Sequence, residues 1–282
     1  MAVSIGRAIG SRNVIALASG RHPPNLINDG TMSIFTPEFA FYILVGFIAQ
    51  IIDGALGMAY GVTASSLLIT FGVPPAASSA TVHAAECFTT GASAISHRTF
   101  GNVDGHLFRR LLIPGVLGAV TGAYVLASFP GDAVRPYIAG YLLVMGAVIV
   151  YKAFREFPPR RVTSHLRLLG FIGALVDAVG GGGWGPIVTS NLLVRGNDIR
   201  KTIGSVNAVE FFVTLAASVT FLFTLGLTNW QIILGLAIGG ILAAPLGAWV
   251  SKHMPVKPFM IVVGVLVIVI SMRTLLIVFG MI

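Results

Sequence analysis

Asp53 and Asp177 each stand just ahead of a glycine-rich stretch, "DGALGMAYG" (Asp53 to Gly61) and "DAVGGGGWG" (Asp177 to Gly185). An unpaired carboxylate is costly in lipid, and glycine is a poor helix interior residue. Two chemistries fit an acid beside such a run. The carboxylate can cap free backbone N–H groups where a helix restarts, or it can carry a proton. Glycine lets backbone approach a ligand, and a restarting helix offers unpaired N–H groups and a positive dipole end to an anion. Gly57, Gly61, Gly181, Gly182, Gly183 and Gly185 are therefore candidate ligand-binding positions, with Ser65, Ser66, Thr189 and Ser190 (and Thr63) as hydroxyl donors and Trp184 as a wall. The competing reading is tight helix packing through small residues.

A second pattern lies about thirty residues further on in each case. His83 and Glu86 are three apart, on one helix face, and Asn207 and Glu210 repeat the spacing. Their titration suits a proton relay, and their hydrogen bonding suits a helix-to-helix link. A metal site fits less well, because no further His or Cys recurs nearby at ligand spacing. Cys87 is the one cysteine, which excludes an intrachain disulfide and a multi-cysteine metal site; it reads as a small buried helix residue.

The elements that hold these residues must cross a membrane. Of the 282 residues, 55% are hydrophobic and 10% charged, and the mean hydropathy is +0.89. A soluble domain carries roughly 25% charged residues. Apolar runs of spanning length recur from Phe39 onward, and the alternation of a membrane β-barrel is absent. The net charge of +8 does not point to nucleic acid, since the basic residues fall in short loops between apolar segments. Residues 1–35 differ: they hold Arg7, Arg12, Arg21 and the turn-rich "GRHPPNLINDG", and read as a disordered extension, with Met32 as an alternative start.

The chain contains a repeat. At a constant offset of 124, "GFIAQIIDGALGMAYG" from Gly46 lies on "GFIGALVDAVGGGGWG" from Gly170, Asp53 on Asp177, His83 on Asn207 and Glu86 on Glu210. One inserted residue later, Gly122 falls on Gly247. The expected fold is all-α: repeat 1 over 36–154, a cytoplasmic linker over 155–167 and repeat 2 over 168–282. Each repeat comprises a broken, re-entrant or spanning hairpin (38–56 and 61–71; 168–180 and 184–194) and three spanning helices (77–97, 108–128, 134–152; 202–225, 229–250, 257–279). Each half then crosses an odd number of times, so the second half is inverted.

Loop charges agree with inversion. One set of alternate connections holds Arg98, Arg109, Arg110, Lys152, Arg155, Arg160, Arg161, Arg167, Arg195, Arg200, Lys201, Lys252 and Lys257, and the other set, 72–76, 129–133 and 226–228, holds no basic residue. The first set is expected to be cytoplasmic, with the mature N-terminus and the C-terminus outside, an orientation that Arg7, Arg12 and Arg21 oppose. Inverted repeats with broken helices are a transporter signature, with the binding site where the breaks meet.

The tandem halves, "VGFIAQIIDGALGMAYG" and "ALVDAVGGGGWGPIV" above all, resemble the TauE/SafE sulfite exporter family, in particular its taurine-linked branch. The resemblance covers roughly residues 36–280. It implies a multi-pass protein of the bacterial inner membrane that exports a small sulfur-containing anion, sulfite first or an organosulfonate, as a secondary transporter without a cofactor. Relatives that import thiosulfate carry paired cysteines, and Cys87 alone departs from that pattern. Expected partners are the anion, membrane lipid and protons; the oligomeric state stays open. The alternatives are a passive anion channel, an intramembrane enzyme using His83 and Glu86 as acid and base, and a structural membrane protein. The last leaves the repeated acids unexplained.

Overall fold

A computed structural model describes residues 37–56, 58, 60–129, 131–155, 162–189, 191, 192, 195, 197–226, 229–253 and 256–281. The expected extension over 1–35, the ligand positions Gly57 and Ser190, and 156–161 of the linker lie outside the described residues. The regular elements are all helical. The first half contributes α1 (Pro37–Leu56), α2 (Tyr60–Thr70), α3 (Pro75–Thr99), α4 (Gly105–Ala127) and α5 (Gly131–Ala153). The second contributes α6 (Leu166–Gly180), a π turn (Gly185–Thr189), α7 (Ile199–Thr224), α8 (Trp230–His253) and α9 (Val256–Val278). The stretches Gly105–Ala127, Pro136–Ala153 and Arg200–Thr224 are long and apolar enough to cross a membrane.

Polarity is distributed as lipid requires. The outward faces carry Leu44, Ile113, Tyr124, Val144, Leu168, Phe223, Leu242 and Val269. The interior holds Gln50, Asp53, Ser65, Ser79, His83, Glu86, Asp177, Asn207 and Glu210, all buried. Lipid tails give apolar side chains no reason to leave the surface, so helices associate through close packing and polar contacts.

Close packing falls on glycine. α1 packs on α8 and α4 on α6. A Cβ on Gly46 or Gly239 would collide with the backbone of the partner helix, at Leu236 and at Ile43 respectively. A Cβ on Gly118 or Gly122 would collide with the backbone at Phe171 and Leu175. Similar small-residue seams join α5 to α9 at Gly146 and Gly264.

The main helix pairs have counterparts when the halves are exchanged. α1 on α8 mirrors α6 on α4, α4 on α7 mirrors α8 on α3, and α3–α7 and α5–α9 each map onto themselves. The ends of α3 and α7 match in detail: Gly101 and Gly226 follow them, with φ of 69° and 74°.

Both broken segments are present, but the second differs from the expected helix over 184–194. α6 stops at Gly180, Gly181 takes a left-handed φ of 68°, and the chain resumes as a π turn. Pro186 sits in that first turn, where its missing N–H would have no intrahelical partner in any case, and Ile187 donates to the Gly183 carbonyl at 2.9 Å.

Candidate functional site

Asp177, in the last turn of α6, is the most heavily used side chain at the centre. Its Oδ1 accepts the backbone N–H of Trp184 at 2.9 Å, across the glycine break. Its backbone carbonyl accepts the N–H of Gly182 at 3.1 Å. Asp53 repeats the first of these contacts, accepting a backbone hydrogen bond from Tyr60. Tyr60 and Trp184 are repeat mates, both at the restart. Each acid thus ties the broken ends together by satisfying an orphan N–H.

Asp177 also faces His83, with Oδ2 3.1 Å from Nε2. The other ring nitrogen, Nδ1, lies 2.8 Å from the carbonyl of Ser79. A carbonyl only accepts, so Nδ1 carries hydrogen. Nε2 and the carboxyl then hold one proton between them, as imidazolium with carboxylate or as imidazole with carboxylic acid. Both residues are buried. The repeat mate of His83 does otherwise: Asn207 donates from Nδ2 to Ser93 Oγ at 3.0 Å.

The breaks touch. A Cβ on Gly182, whose φ is 152°, would fall on the backbone of Gly61 and Val62, and one on Gly61 would come within 2.8 Å of the Gly182 Cα and 3.1 Å of Glu86 Oε1. Only glycine permits that approach. Hydroxyls fix the second break by its carbonyls. Ser65 donates to Gly181, Ser79 to Ala178 at 2.6 Å, and Tyr141 to Gly182 at 2.8 Å. The ring of Tyr141 also fills the space beside Gly180 and Gly183.

Four carboxyls gather here. Asp53, Glu86, Asp177 and Glu210 are mutually close enough to interact electrostatically, with His83 the one imidazole in the group. Several buried polar atoms have no protein partner: Thr63 Oγ1 and Ser66 Oγ on the helix that leaves the first break, and Ser78 Oγ, Asn207 Oδ1, Glu210 Oε2, Ser271 Oγ and the amide of Gln50 elsewhere in the interior. Native interiors rarely leave such groups unmatched.

Other sequence expectations land elsewhere. Ser65 spends its hydroxyl on Gly181 rather than facing open space. Trp184 is fully buried, donates from Nε1 to the carbonyl of Val206 at 3.2 Å, and packs against Gly115 and Gly173. It belongs to the core between α4, α6 and α7. Gly185 and Thr189 are buried in the π turn. Cys87, expected to be buried, is partly exposed, 3.5 Å from Ser218 Oγ. Among the described residues, no group of three or more His, Cys, Asp or Glu is placed to hold a metal ion.

Sequence reasoning missed Ser79, Tyr141, Gln50 and Lys152. Lys152, placed with the loop charges, is half-buried, its Nζ reaching the carbonyl of Pro186 at 3.3 Å. Ser79, one turn before His83 on α3, was the findable one.

A polar interior, an apolar exterior and paired helix breaks define a multi-pass membrane protein of the transporter class. The chain belongs to the family described as Sulfite exporter TauE/SafE, whose pattern matches residues 42–274. It is 43% identical over 248 residues to the "Probable membrane transporter protein YtnM" of Bacillus subtilis (strain 168), covering 84% of this chain and 82% of that one. It is 26% identical over 238 residues to the "Probable membrane transporter protein ORF9" of a Sinorhizobium species, covering 80% and 89%. The "Sulfite exporter TauE/SafE family protein 3" of Arabidopsis thaliana is 27% identical over 137 residues, 49% of this chain and 27% of that protein. No solved structure matches at comparable significance.

Proposed function

We propose that the chain exports a small sulfur-containing anion, sulfite first or an organosulfonate, from the bacterial cytoplasm across the inner membrane. It works as a secondary transporter by alternating access. Repeat 1 (36–154) and repeat 2 (168–282), inverted with respect to each other and joined by the 155–167 linker, rock about the breaks. The basic loops face the cytoplasm. The observation that carries this reading is the backbone contact of Gly61 with Gly182, beside which α2 carries the buried, unpartnered hydroxyls of Thr63 and Ser66.

The cargo lies beside the crossing of the breaks, against the amide of Gly61 and the hydroxyls of Ser66 and Thr63 on α2. Asp53 and Asp177 organise that backbone. Glu86, Glu210 and Asn207 border it, and His83 with Asp177 holds the exchangeable proton. A cluster of carboxyls repels an anion when ionised and donates hydrogen bonds to it when protonated. Proton movement and anion movement are thereby linked. Bisulfite and sulfite differ by one proton, so a relay at the site suits that cargo.

The test is flux in proteoliposomes for sulfite, thiosulfate, sulfate, sulfoacetate and taurine, with Gly182→Leu and Asp177→Asn beside the parent. We expect saturable flux of sulfite or a sulfonate, impaired in both variants. Flux that never saturates and shows no counter-flow favours a passive channel. If neither substitution changes affinity or rate for any anion, the cargo site is elsewhere.

A further inference from the structure

The two ends of the molecule carry repeat-related seams that are not equally closed. At the basic-loop end, Ser205 of α7 accepts the backbone N–H of Asp104, the residue before α4, with Oγ at 2.7 Å. At the other end, Thr81 of α3 accepts from the side chain of Asn229, the residue before α8, with Oγ1 at 3.1 Å. Ser205 is the mate of Thr81 at the offset of 124. Asp104 is the mate of Asn229 at 125, the offset that also aligns Gly101 with Gly226, both left-handed. Each seam therefore joins the third helix of one half to the start of the fourth helix of the other.

What differs is what surrounds them. At the basic end Lys201 Nζ donates to the carbonyl of Gly101 at 2.6 Å, and Gly204 packs so tightly on Asn102 that a Cβ would strike its backbone. At the other end the mates of Lys201 and Gly204 are Ala77 and Ala80. These, with Gly226, Asn229, Thr81 and Phe129, line a cavity of about 260 Å³. Replacing a lysine by an alanine at one end leaves room that the other end lacks. The cavity begins beside the turn of α3 that carries Ser79 and His83, whose bonds to Ala178 and Asp177 hold the second break.

We propose that the Asp104–Ser205 and Asn229–Thr81 seams are the two gates of the transport path, that Lys201 is the latch of the first, and that the cavity is the vestibule outside the second, which has alanine where the first has its latch. This rests on alternating access as proposed above. Moving cargo to the other side requires Lys201 to release Gly101 while the α3 end closes over Ala77.

The test needs no cargo. In a Cys87→Ala background, Ala77→Cys and Ala208→Cys, the latter buried one turn beyond Ser205 on α7, report each end by their rate of reaction with a membrane-impermeant charged maleimide, in right-side-out and inside-out vesicles. In the parent, Ala77→Cys reacts from the side opposite the basic loops and Ala208→Cys is protected. Adding Lys201→Ala is expected to raise Ala208→Cys labelling from the basic-loop side about fivefold and to lower Ala77→Cys labelling, as loss of one hydrogen bond permits. Lys201→Arg, which keeps a cationic donor, is expected to match the parent. Lys201→Met, which keeps the chain length without a donor, serves as a second reporter of latch loss and is expected to move both rates in the same directions. Rates that both stay put, or both rise, overturn the gates. That failure leaves the anion flux experiment standing, because labelling and flux are read separately.

Discussion

Asp177 can be altered so that its structural and protonic tasks separate. Asparagine keeps an oxygen for the Trp184 N–H and turns an NH₂ toward His83 Nε2, so the contacts at 2.9 and 3.1 Å survive in neutral form. We expect Asp177→Asn to retain the parent's Tm in detergent within a few degrees and to lose the pH dependence of flux. Asp177→Ala instead strands a buried N–H and a buried imidazole, at about 1–3 kcal/mol for each, and should lower Tm markedly. The sign for the parent follows from the shared proton. Removing it leaves two acceptors facing each other, so loss of that proton weakens the His83–Asp177 contact. A parent flux that does not vary with pH would refute a coupling role for the pair. The two acids were visible in the sequence because glycines followed each of them. Their partner was not: His83 lies 94 residues from Asp177, and an offset alignment pairs it with Asn207 instead.

Helices meet through hydrogen atoms where glycine faces backbone. On α8, Gly239 lies over the Ile43 carbonyl of α1, so Gly239→Ala must spread the pair. We expect about 1–3 kcal/mol of destabilisation, read as a lower Tm in detergent, whereas Gly140→Ala, with open space at its Cβ, should be near neutral. Equal effects at both positions would refute the seam. The helix boundaries were largely legible from the apolar runs, but the starts at Pro75 and, behind the Asp104 cap, at Gly105 lie two and three residues ahead of those expected. The π turn at Gly185–Thr189 was not legible, since a proline in a first helical turn is compatible with an ordinary helix. Nor could an aromatic next to glycines show that neighbouring helices would enclose Trp184.

For the molecule as a whole, the proposed secondary transport calls for cargo movement driven by gradients. In vesicles free of nucleotide, an imposed pH gradient is expected to drive the preferred anion against its concentration, and a protonophore is expected to abolish that accumulation. Accumulation that survives the protonophore would refute proton coupling while leaving facilitated transport intact. The exchange symmetry of the packing, α1 on α8 with α6 on α4, was foreshadowed by the offset of 124, yet the unequal ends were not. Lys201 and Ala77 are aligned residues, but only the described cavity gives the difference between them a meaning.

Gly61 and Gly182 press main chain against main chain. Neither break can acquire so much as a methyl group there unless the other yields. Across their lipid-facing surfaces the two halves are free to vary, but at this crossing they must change together or stay unchanged, so a half lifted from a distant relative and grafted onto this one should fail at that crossing first.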